Sequence, residues 1–105
     1  HNDIEFNGCL LNLYRNGKDK MGWHSDNEKE LDSEKPIYSL SLGSSRDFFL
    51  KHKSLLLKET INLGNGSLLI MSPDCQKYWQ HSIPMRRRIL TARVNLTFRC
   101  YKKIN

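Results

Sequence analysis

Residues 22–28 carry two side chains that could bind a metal ion, His24 and Asp26. In an extended segment, residues i and i+2 point to the same side, so the imidazole and the carboxylate can face one point. An imidazole nitrogen and a carboxylate oxygen are both common ligands of divalent transition metals. The pair alone is weak evidence for a metal site, because an ordinary solvated loop can carry the same two residues. A metal site requires a further ligand from elsewhere in the chain.

His81 is the candidate third ligand. It lies in the short segment 79–84, which follows an apolar strand-like segment. Two histidines and one carboxylate on one face of an octahedral ion leave three positions open, enough for a bidentate co-substrate and O2. A lone histidine is more often an ordinary core or surface residue. We predict a metal and catalytic centre of His24, Asp26 and His81.

Residues 93–100 form a predicted strand with a polar face and an apolar face. The polar face has Arg93, Asn95, Thr97 and Arg99, and the apolar face has Val94, Leu96, Phe98 and Cys100. The arginines could be exposed on an edge strand. If they are buried, each guanidinium needs an anion, and a dicarboxylate with Asn95 as a further donor would satisfy both. Asn12 and Tyr14 share one face of an earlier strand and could donate to the same carboxylate.

The scaffold predicted to hold these groups has six or seven short strands. Alternation or apolar runs predict strands in the second half of 6–14, which we expect to be buried, and in 37–42, 46–51, 55–63, 67–71 and 93–100. Gly64, Asn65 and Gly66 indicate a tight turn. Ser72 as N-cap and Pro73 at the first position predict a short helix through Trp79. Turns every 8–12 residues favour an all-β sandwich or barrel of one domain over residues 1–105.

Composition narrows the possible partners. The chain has 105 residues, 38% of them hydrophobic, and no apolar run long enough to span a membrane, so we expect no membrane partner. Seventeen basic against 11 acidic residues give a net charge of +6, which is typical of nucleic-acid binders but also serves solubility. Three cysteines without a C-x-x-C spacing argue against a disulfide framework and a cysteine zinc site. They favour a reducing intracellular compartment.

Basic residues gather at two predicted loop tips, around Lys51 and Lys53 and at Arg86, Arg87 and Arg88. They could be solvated surface, or they could contact phosphates without reading sequence. Three aromatic residues are possible base-stacking platforms, although core packing is the commoner role of each. These are Trp23, Tyr38 and Trp79.

The motifs together resemble those of the AlkB family of Fe(II)/2-oxoglutarate dioxygenases, specifically its branch that repairs alkylated nucleic acids. They are N-x-Y at 12–14, W-H-x-D-x-E at 23–28, P-I-x-S-x-S-L-G-x-x-R-x-F at 36–48, G-x-L-L-x-M at 66–71, W-x-H-x-x-P at 79–84 and R-V-N-L-T-F-R at 93–99. The resemblance implies a double-stranded β-helix, or jelly roll, with at most one or two short helical turns. It covers nearly the whole chain and corresponds to the catalytic core.

The resemblance also implies roles for individual residues. His24, Asp26 and His81 would bind Fe(II), while the 2-oxoglutarate ligands would be Asn12, Tyr14, Arg93, Asn95 and Arg99. Glu28 would face the target base. Arg46 matches an arginine of the repair branch that lies near the nucleic acid. The other contacts that we expect with nucleic acid follow from charge and aromatic character, not from the resemblance; they are Trp23, Lys51, Lys53, Arg86 and Arg87.

The implied reaction is oxidative demethylation of 1-methyladenine or 3-methylcytosine in DNA or RNA, with O2 consumed and formaldehyde released. The lid over the flipped base in family members is expected to be largely absent, since the chain begins shortly before N-x-Y. The short hairpin near His52 favours single-stranded substrates, and we expect a monomer in the cytoplasm or nucleus. Two alternatives remain open: a dioxygenase of the same fold with a different substrate, and a non-catalytic basic β-domain that binds nucleic acid.

Overall fold

The computed structural model describes residues 4–103, which form eight strands and one short helix. In chain order these are β1 (Gly8–Tyr14), β2 (Met21–His24), β3 (Ile37–Gly43), β4 (Arg46–His52), β5 (Lys58–Leu63), β6 (Leu68–Met71), α1 (Pro73–Tyr78), β7 (Trp79–Ile83) and β8 (Arg93–Arg99). One antiparallel sheet has the order β1-β8-β3-β6 and the other β2-β7-β4-β5. The predicted all-β jelly roll, with one helix of six residues, is confirmed. Within residues 4–103, no helix has the length and apolar character needed to cross a membrane.

The two sheets pack through one cluster of buried apolar side chains. Its members are Tyr14, Leu31, Ile37, Phe48, Leu63, Met71 and Ile83. Alternation along β3 and β4 turns Ile37 and Phe48 inward while their neighbours are half-buried. The core is small, and much of the remaining buried surface belongs to polar residues on β3, β7 and β8. The space between the sheets therefore contains a polar region beside the core.

Two strands beyond the predicted set, β2 and β7, complete the second sheet. The sequence predicts a helix through Trp79 and no strand directly after it, but the helix ends at Tyr78 and β7 begins at once. Strand β7 pairs with β2 on one side and β4 on the other. The segment lacks a clear apolar alternation because it packs next to a polar site. Ser72 does occupy the N-cap position with Pro73 following, but its side chain makes no capping hydrogen bond.

The hairpin between β4 and β5 differs from its prediction. Strand β5 begins at Lys58 rather than Leu55, and the three leucines at 55–57 lie exposed in the loop. The side chain of His52 explains this: its Nδ1 accepts the backbone N–H groups of Ser54 and Leu55 at 3.1 and 2.9 Å. These bonds turn the chain before the next strand can start. By contrast, the turn predicted at 64–66 is confirmed, and Gly66 takes a positive φ of 80°.

Strand β1 is an edge strand, and the expectation that it is buried is wrong. It pairs only with β8, and in β1 Tyr14 alone is buried. Leu11 and Leu13 are 60% and 57% exposed. Strand β8, in contrast, lies between β1 and β3, so the alternative of two exposed arginines on an edge strand is also wrong.

Arg46, the first residue of β4, connects the loop between β1 and β2 with the loop between β7 and β8. Its side chain is 1% exposed and donates to the carbonyls of Asn16 at 3.3 Å, Asp19 at 2.9 Å and Pro84 at 2.7 Å. Gly17 permits the close approach of these loops, because a Cβ there would lie 1.6 Å from the carbonyl oxygen of Arg86. The turn at 15–19 and the segment that carries the basic run are thus fixed together.

Candidate metal and co-substrate site

His24 and His81 face each other across the pairing of β2 with β7. They are Cα partners in the register, and their ring centroids are 4.2 Å apart. Asp26 lies two residues beyond the end of β2. Nitrogen and oxygen atoms of the three side chains all lie within 4.8 Å of one another. The structure therefore brings together the three residues predicted to bind a metal.

Both imidazoles present Nε2 to the Asp26 carboxylate. Nε2 of His81 lies 3.5 Å from Oδ2, and Nε2 of His24 lies 3.8 Å from Oδ1. Nδ1 of His24 is 2.8 Å from the carbonyl oxygen of Gly22. Donation of an Nδ1–H to that carbonyl leaves Nε2 with a free lone pair, which is the form that binds a metal. The local backbone thus sets the useful tautomer of His24.

The environment of Asp26 favours its ionised form. Burial acts to raise the pKa of the carboxyl, but the hydrogen bond and charge of His81, then the charges of Arg99 and His24, outweigh burial and lower the pKa below its usual value. Nη2 of Arg99 is 3.2 Å from Oδ1. A partly buried carboxylate that stays ionised beside two imidazoles is a suitable donor set for a divalent cation.

The polar face of β8 points into the molecule. Arg93 and Arg99 are 2% and 4% exposed, and Asn95 and Thr97 are buried between them. Nη2 of Arg93 donates to Oγ of Ser41 at 2.9 Å, while its Nε and Nη1 have no hydrogen-bond partner among the described residues. Nε of Arg99 also lacks one. Buried guanidinium donors without partners are costly, and an anionic ligand would satisfy them.

One cavity of about 210 Å³ joins the two halves of the site. All eight residues predicted to bind the metal or 2-oxoglutarate line it, and so does Glu28. The lining of the cavity includes Asn12, Tyr14, His24, Asp26, His81, Arg93, Asn95 and Arg99. The His–Asp–His cluster and the two buried arginines therefore line one shared space, which fits a divalent metal next to a dicarboxylate.

Tyr14 and Asn95 have different environments in this cavity. The guanidinium carbon of Arg93 lies 5.0 Å from the centroid of the Tyr14 ring. Burial raises the pKa of Tyr14 in spite of Arg93 and Arg46, so its hydroxyl stays protonated and can donate. The Asn95 amide is already engaged, donating to Ser39 Oγ at 2.6 Å and accepting from Thr97 at 2.8 Å. Asn95 thus orders the floor of the cavity.

Comparisons with known proteins agree with this geometry. Residues 1–99 match the 2OG-Fe(II) oxygenase superfamily. The chain belongs to the 2OG-Fe(II) oxygenase superfamily. It is an AlkB-type core, and the cofactors predicted from the sequence, Fe(II), 2-oxoglutarate and O2, are those of this superfamily.

The chain is 44% identical over 102 residues to "DNA oxidative demethylase ALKBH2" of Mus musculus, covering 90% of this chain and 43% of that protein. It is 42% identical over 103 residues to "Alpha-ketoglutarate-dependent dioxygenase alkB homolog 3" of Homo sapiens, covering 90% and 36%. The chain thus spans less than half the length of these relatives. Among solved structures it resembles "The structure of OsALKBH1", with a TM-score of 0.73 and 25% identity over 93% of this chain and 49% of that one. The Drosophila melanogaster CENP-C cupin domain shares the fold, with a TM-score of 0.59 and 13% identity, covering 93% and 64%.

The residues expected to contact nucleic acid lie in different places on this AlkB-type core. Glu28 is exposed at the cavity, with Oε1 3.7 Å from Nη1 of Arg99. Lys53 lies away from the cavity and donates to the carbonyl of Gln76 at 3.1 Å. Arg46 is buried and bound to carbonyls, so its guanidinium is not presented at the surface. Arg87 is exposed in the loop after β7.

Three of these side chains, with one further aromatic residue, meet on the outer face of the second sheet of the oxygenase. Nζ of Lys51 lies 4.3 Å from the centroid of the Trp23 ring. The Trp23 and Phe49 rings are stacked at 6.4 Å, and the guanidinium carbon of Arg86 lies 5.3 Å from the Phe49 centroid. We call Trp23, Phe49, Lys51 and Arg86 the outer strip. Tyr38 and Trp79 lie elsewhere, packed against Phe6 and His52.

Sequence reasoning missed several residues that shape the oxygenase site. Ser25 Oγ donates to the carbonyl of Trp79 at 2.6 Å, and the backbone N–H of Asp26 donates to Oε1 of Gln76 at 2.7 Å. Ser39 and Ser41 support Asn95 and Arg93. The inward alternation of the serines on β3 could have indicated their position. No local pattern marks Gln76, because its partner lies 50 residues away.

Proposed function

We propose that this protein demethylates N-methylated bases in nucleic acid, using Fe(II), 2-oxoglutarate and O2. The observation that carries the proposal is the cavity in which a His–Asp–His cluster faces the unpaired donors of two buried arginines. The name of the mouse relative, a DNA oxidative demethylase, supports a DNA substrate and oxidative demethylation, and the name of the human relative supports a 2-oxoglutarate-dependent dioxygenase. The match to the 2OG-Fe(II) oxygenase superfamily extends across residues 1–99.

The residues divide the chemistry between them. His24, Asp26 and His81 would hold Fe(II), which supplies O2 activation coupled to the oxidative decarboxylation of 2-oxoglutarate. The Arg93 guanidinium would bind the distal carboxylate, with the protonated Tyr14 hydroxyl and the Asn12 amide as further donors. Because the donor groups are fixed by packing before the ligand arrives, little reorganisation is needed.

Arg99 connects the co-substrate region to the base. It lies between Asp26 at 3.2 Å and Glu28 at 3.7 Å, so its charge is shared by the metal ligand and the acidic residue at the cavity. We place Glu28 beside the flipped base. Its carboxylate favours 1-methyladenine and 3-methylcytosine because both carry a positive charge in the methylated form.

The proposed reaction accounts for both atoms of O2 and for the methyl group that is removed. One atom of O2 enters succinate, formed from 2-oxoglutarate with loss of CO2, and the other converts the N–CH3 group to N–CH2OH. The hydroxymethyl C–N bond then breaks, the proton of the hydroxyl leaves, and the products are the restored base and formaldehyde. The methyl carbon is oxidised while O2 is reduced.

The outer strip and Arg87 are the proposed path of the nucleotides beside the flipped base. Lys51 and Arg86 would contact phosphates, and the exposed part of the Trp23 ring would contact a base. Asp47, 2.9 Å from Nε of Arg86, reduces the net charge of the strip, so binding would be moderate. The loop between β4 and β5 has five residues, 53–57, which offers little surface for a second strand. These features support a single-stranded substrate.

We also propose an intracellular site of action, in the cytoplasm or nucleus, and a monomeric state. Nucleic acid is found in these compartments, and the three cysteines of the chain are all free. Light scattering of the purified chain would give one molecular mass of about 12.3 kDa if it is a monomer.

The test is product formation from a single-stranded oligonucleotide with one 1-methyladenine or 3-methylcytosine. With Fe(II), 2-oxoglutarate and ascorbate, we expect equal amounts of formaldehyde and succinate, and none from Asp26→Ala. A duplex of the same sequence should react more slowly because unpairing the target base costs a few kcal/mol. Absence of formaldehyde with both lesions, in a preparation that binds Mn(II) and 2-oxoglutarate, would refute the proposed substrate class.

A further inference from the structure

The backbone of the metal ligand Asp26 is hydrogen-bonded to the side chain of a glutamine that has no role in the proposed chemistry. Gln76 lies on α1, is 8% exposed, and accepts the backbone N–H of Asp26 on Oε1 at 2.7 Å. Its Nε2 donates to Sδ of Met71 at 3.5 Å. The donor N–H of Asp26 fixes which end of the amide faces the ligand segment, since only the oxygen can accept. We propose that Gln76 is a positioning residue that sets the metal affinity of the site through Asp26.

Asp26 needs such support because the sheet does not supply it. The pairing of β2 with β7 ends at His24, and Asp26 lies beyond it. Two side-chain bonds cross this gap: Ser25 Oγ to the carbonyl of Trp79, and the Asp26 N–H to Gln76. The first bond fixes the residue between the two ligands. The second bond acts on the backbone of the carboxylate ligand itself.

Gln76 is itself well anchored. Nζ of Lys53, from the loop after β4, donates to the backbone carbonyl oxygen of Gln76 at 3.1 Å. The helix that carries it continues without a loop into β7, which bears His81. Gln76 therefore links the carboxylate ligand to the segment that carries the second histidine. Groups that orient metal ligands commonly change metal affinity by about 10- to 100-fold when they are removed.

The chain offers a matched control. Gln80 is the other glutamine of the sequence and stands next to His81, yet its side chain makes no hydrogen bond within residues 4–103. Gln76→Met and Gln80→Met are the same chemical change, and methionine is close to glutamine in length. Gln76→Glu keeps an oxygen that can accept the Asp26 N–H. It serves as the second variant if Gln76→Met does not fold.

Two readouts test the proposal, which rests on the metal site of the proposed function. Mn(II) titration of the metal-free protein should show an affinity about 10- to 100-fold weaker in Gln76→Met, with Gln80→Met within about twofold of wild type. Hydrogen exchange of the Asp26 amide, measured without metal, should be faster in Gln76→Met and remain slow in Gln76→Glu. A residue that only stabilised the fold would lower the melting temperature and leave the Mn(II) affinity unchanged.

The outcomes separate this inference from the proposed function. If wild type binds Mn(II) and folded Gln76→Met binds equally well, the positioning role is refuted while the metal site stands. If Gln76→Met does not fold, the inference is refuted when folded Gln76→Glu shows fast exchange at Asp26 or loses Mn(II) binding. If wild type itself fails to bind Mn(II), both the metal site and the role of Gln76 are refuted.

Discussion

The two faces of β8 have the reverse of the usual polarity of a sheet. Its inward face carries buried Arg93, Asn95, Thr97 and Arg99, and its outward face lies among the exposed leucines of the neighbouring strands. In most antiparallel sheets the apolar face packs on the core and the polar face meets water. This reversal supports the proposal that the inner face of this sheet binds a ligand, while the apolar core uses residues from other positions.

Buried arginines on the two sheets sharpen this contrast. Two amino groups of Arg46 are bound to three backbone carbonyls, whereas Arg93 has one hydrogen bond, to Ser41. Burial lowers the pKa of both guanidinium groups, against the effect of nearby Tyr14, although both stay charged at neutral pH. Arg46 therefore stabilises the fold, and Arg93 is available to a ligand.

Arg46→Met should produce a large loss of stability. It removes three charged hydrogen bonds and leaves the carbonyls of Asn16, Asp19 and Pro84 without those donors, so the free energy of unfolding should fall by about 2–4 kcal/mol. Urea unfolding of the metal-free protein measures this. A loss below about 0.5 kcal/mol would show that Arg46 does not hold the loops together.

The outward face should tolerate polar substitution. Leu11→Thr and Leu13→Thr are expected to change the free energy of unfolding by no more than about 0.5 kcal/mol each, because both side chains are exposed and threonine suits a strand. The affinity for 2-oxoglutarate should not change. Ile37→Thr, the same kind of change in the core, should cost about 2–4 kcal/mol. Equal losses at Leu11 and Ile37, measured by urea unfolding, would contradict the assignment of the two faces.

A small pH-dependent effect is expected at the turn next to Arg46. The bonds from the Arg15 side chain and backbone lower the pKa of Asp19 to about 2, from an ordinary value of 3.8. The ionised carboxylate therefore stabilises the fold above about pH 4, and this contribution is lost as the pH falls through about 2. Asp19→Asn should be less stable than wild type at about pH 6, with the difference vanishing near pH 2. Urea unfolding at several pH values measures this difference in stability, with Arg15→Met tested in parallel. A difference that persists at the lowest pH would contradict the role of the Asp19 carboxylate.

The sequence predicts which residues form the site better than it predicts which of their side chains are buried. Polar alternation at 93–99 is visible because strand side chains have a period of two. That pattern does not say which face is inside, since burial is decided by the strands on either side of β8. The inward position of Arg93 becomes certain only with the pairing of β8 to β1 and β3.

Long-range contacts explain most of what the sequence does not predict. His24 and His81 meet through the register of β2 with β7, a strand without a recognisable pattern. The leucines at 55–57 look like the start of a strand, but the His52 side chain turns the backbone there. Arg46, expected near the nucleic acid, lies buried because three distant carbonyls surround it.

The measurement that tests the account most directly is a paired one on Arg93→Met. Titration of the Mn(II)-loaded protein with 2-oxoglutarate gives the affinity, and urea unfolding without ligand gives the stability. We predict that the affinity falls by about 100-fold or more, because the carboxylate loses its charged partner. The stability should stay within about 1 kcal/mol of wild type or increase, since a buried charge with unpaired donors is removed. Unchanged affinity together with a clear loss of stability would show that the polar face of β8 is structural and would contradict the account.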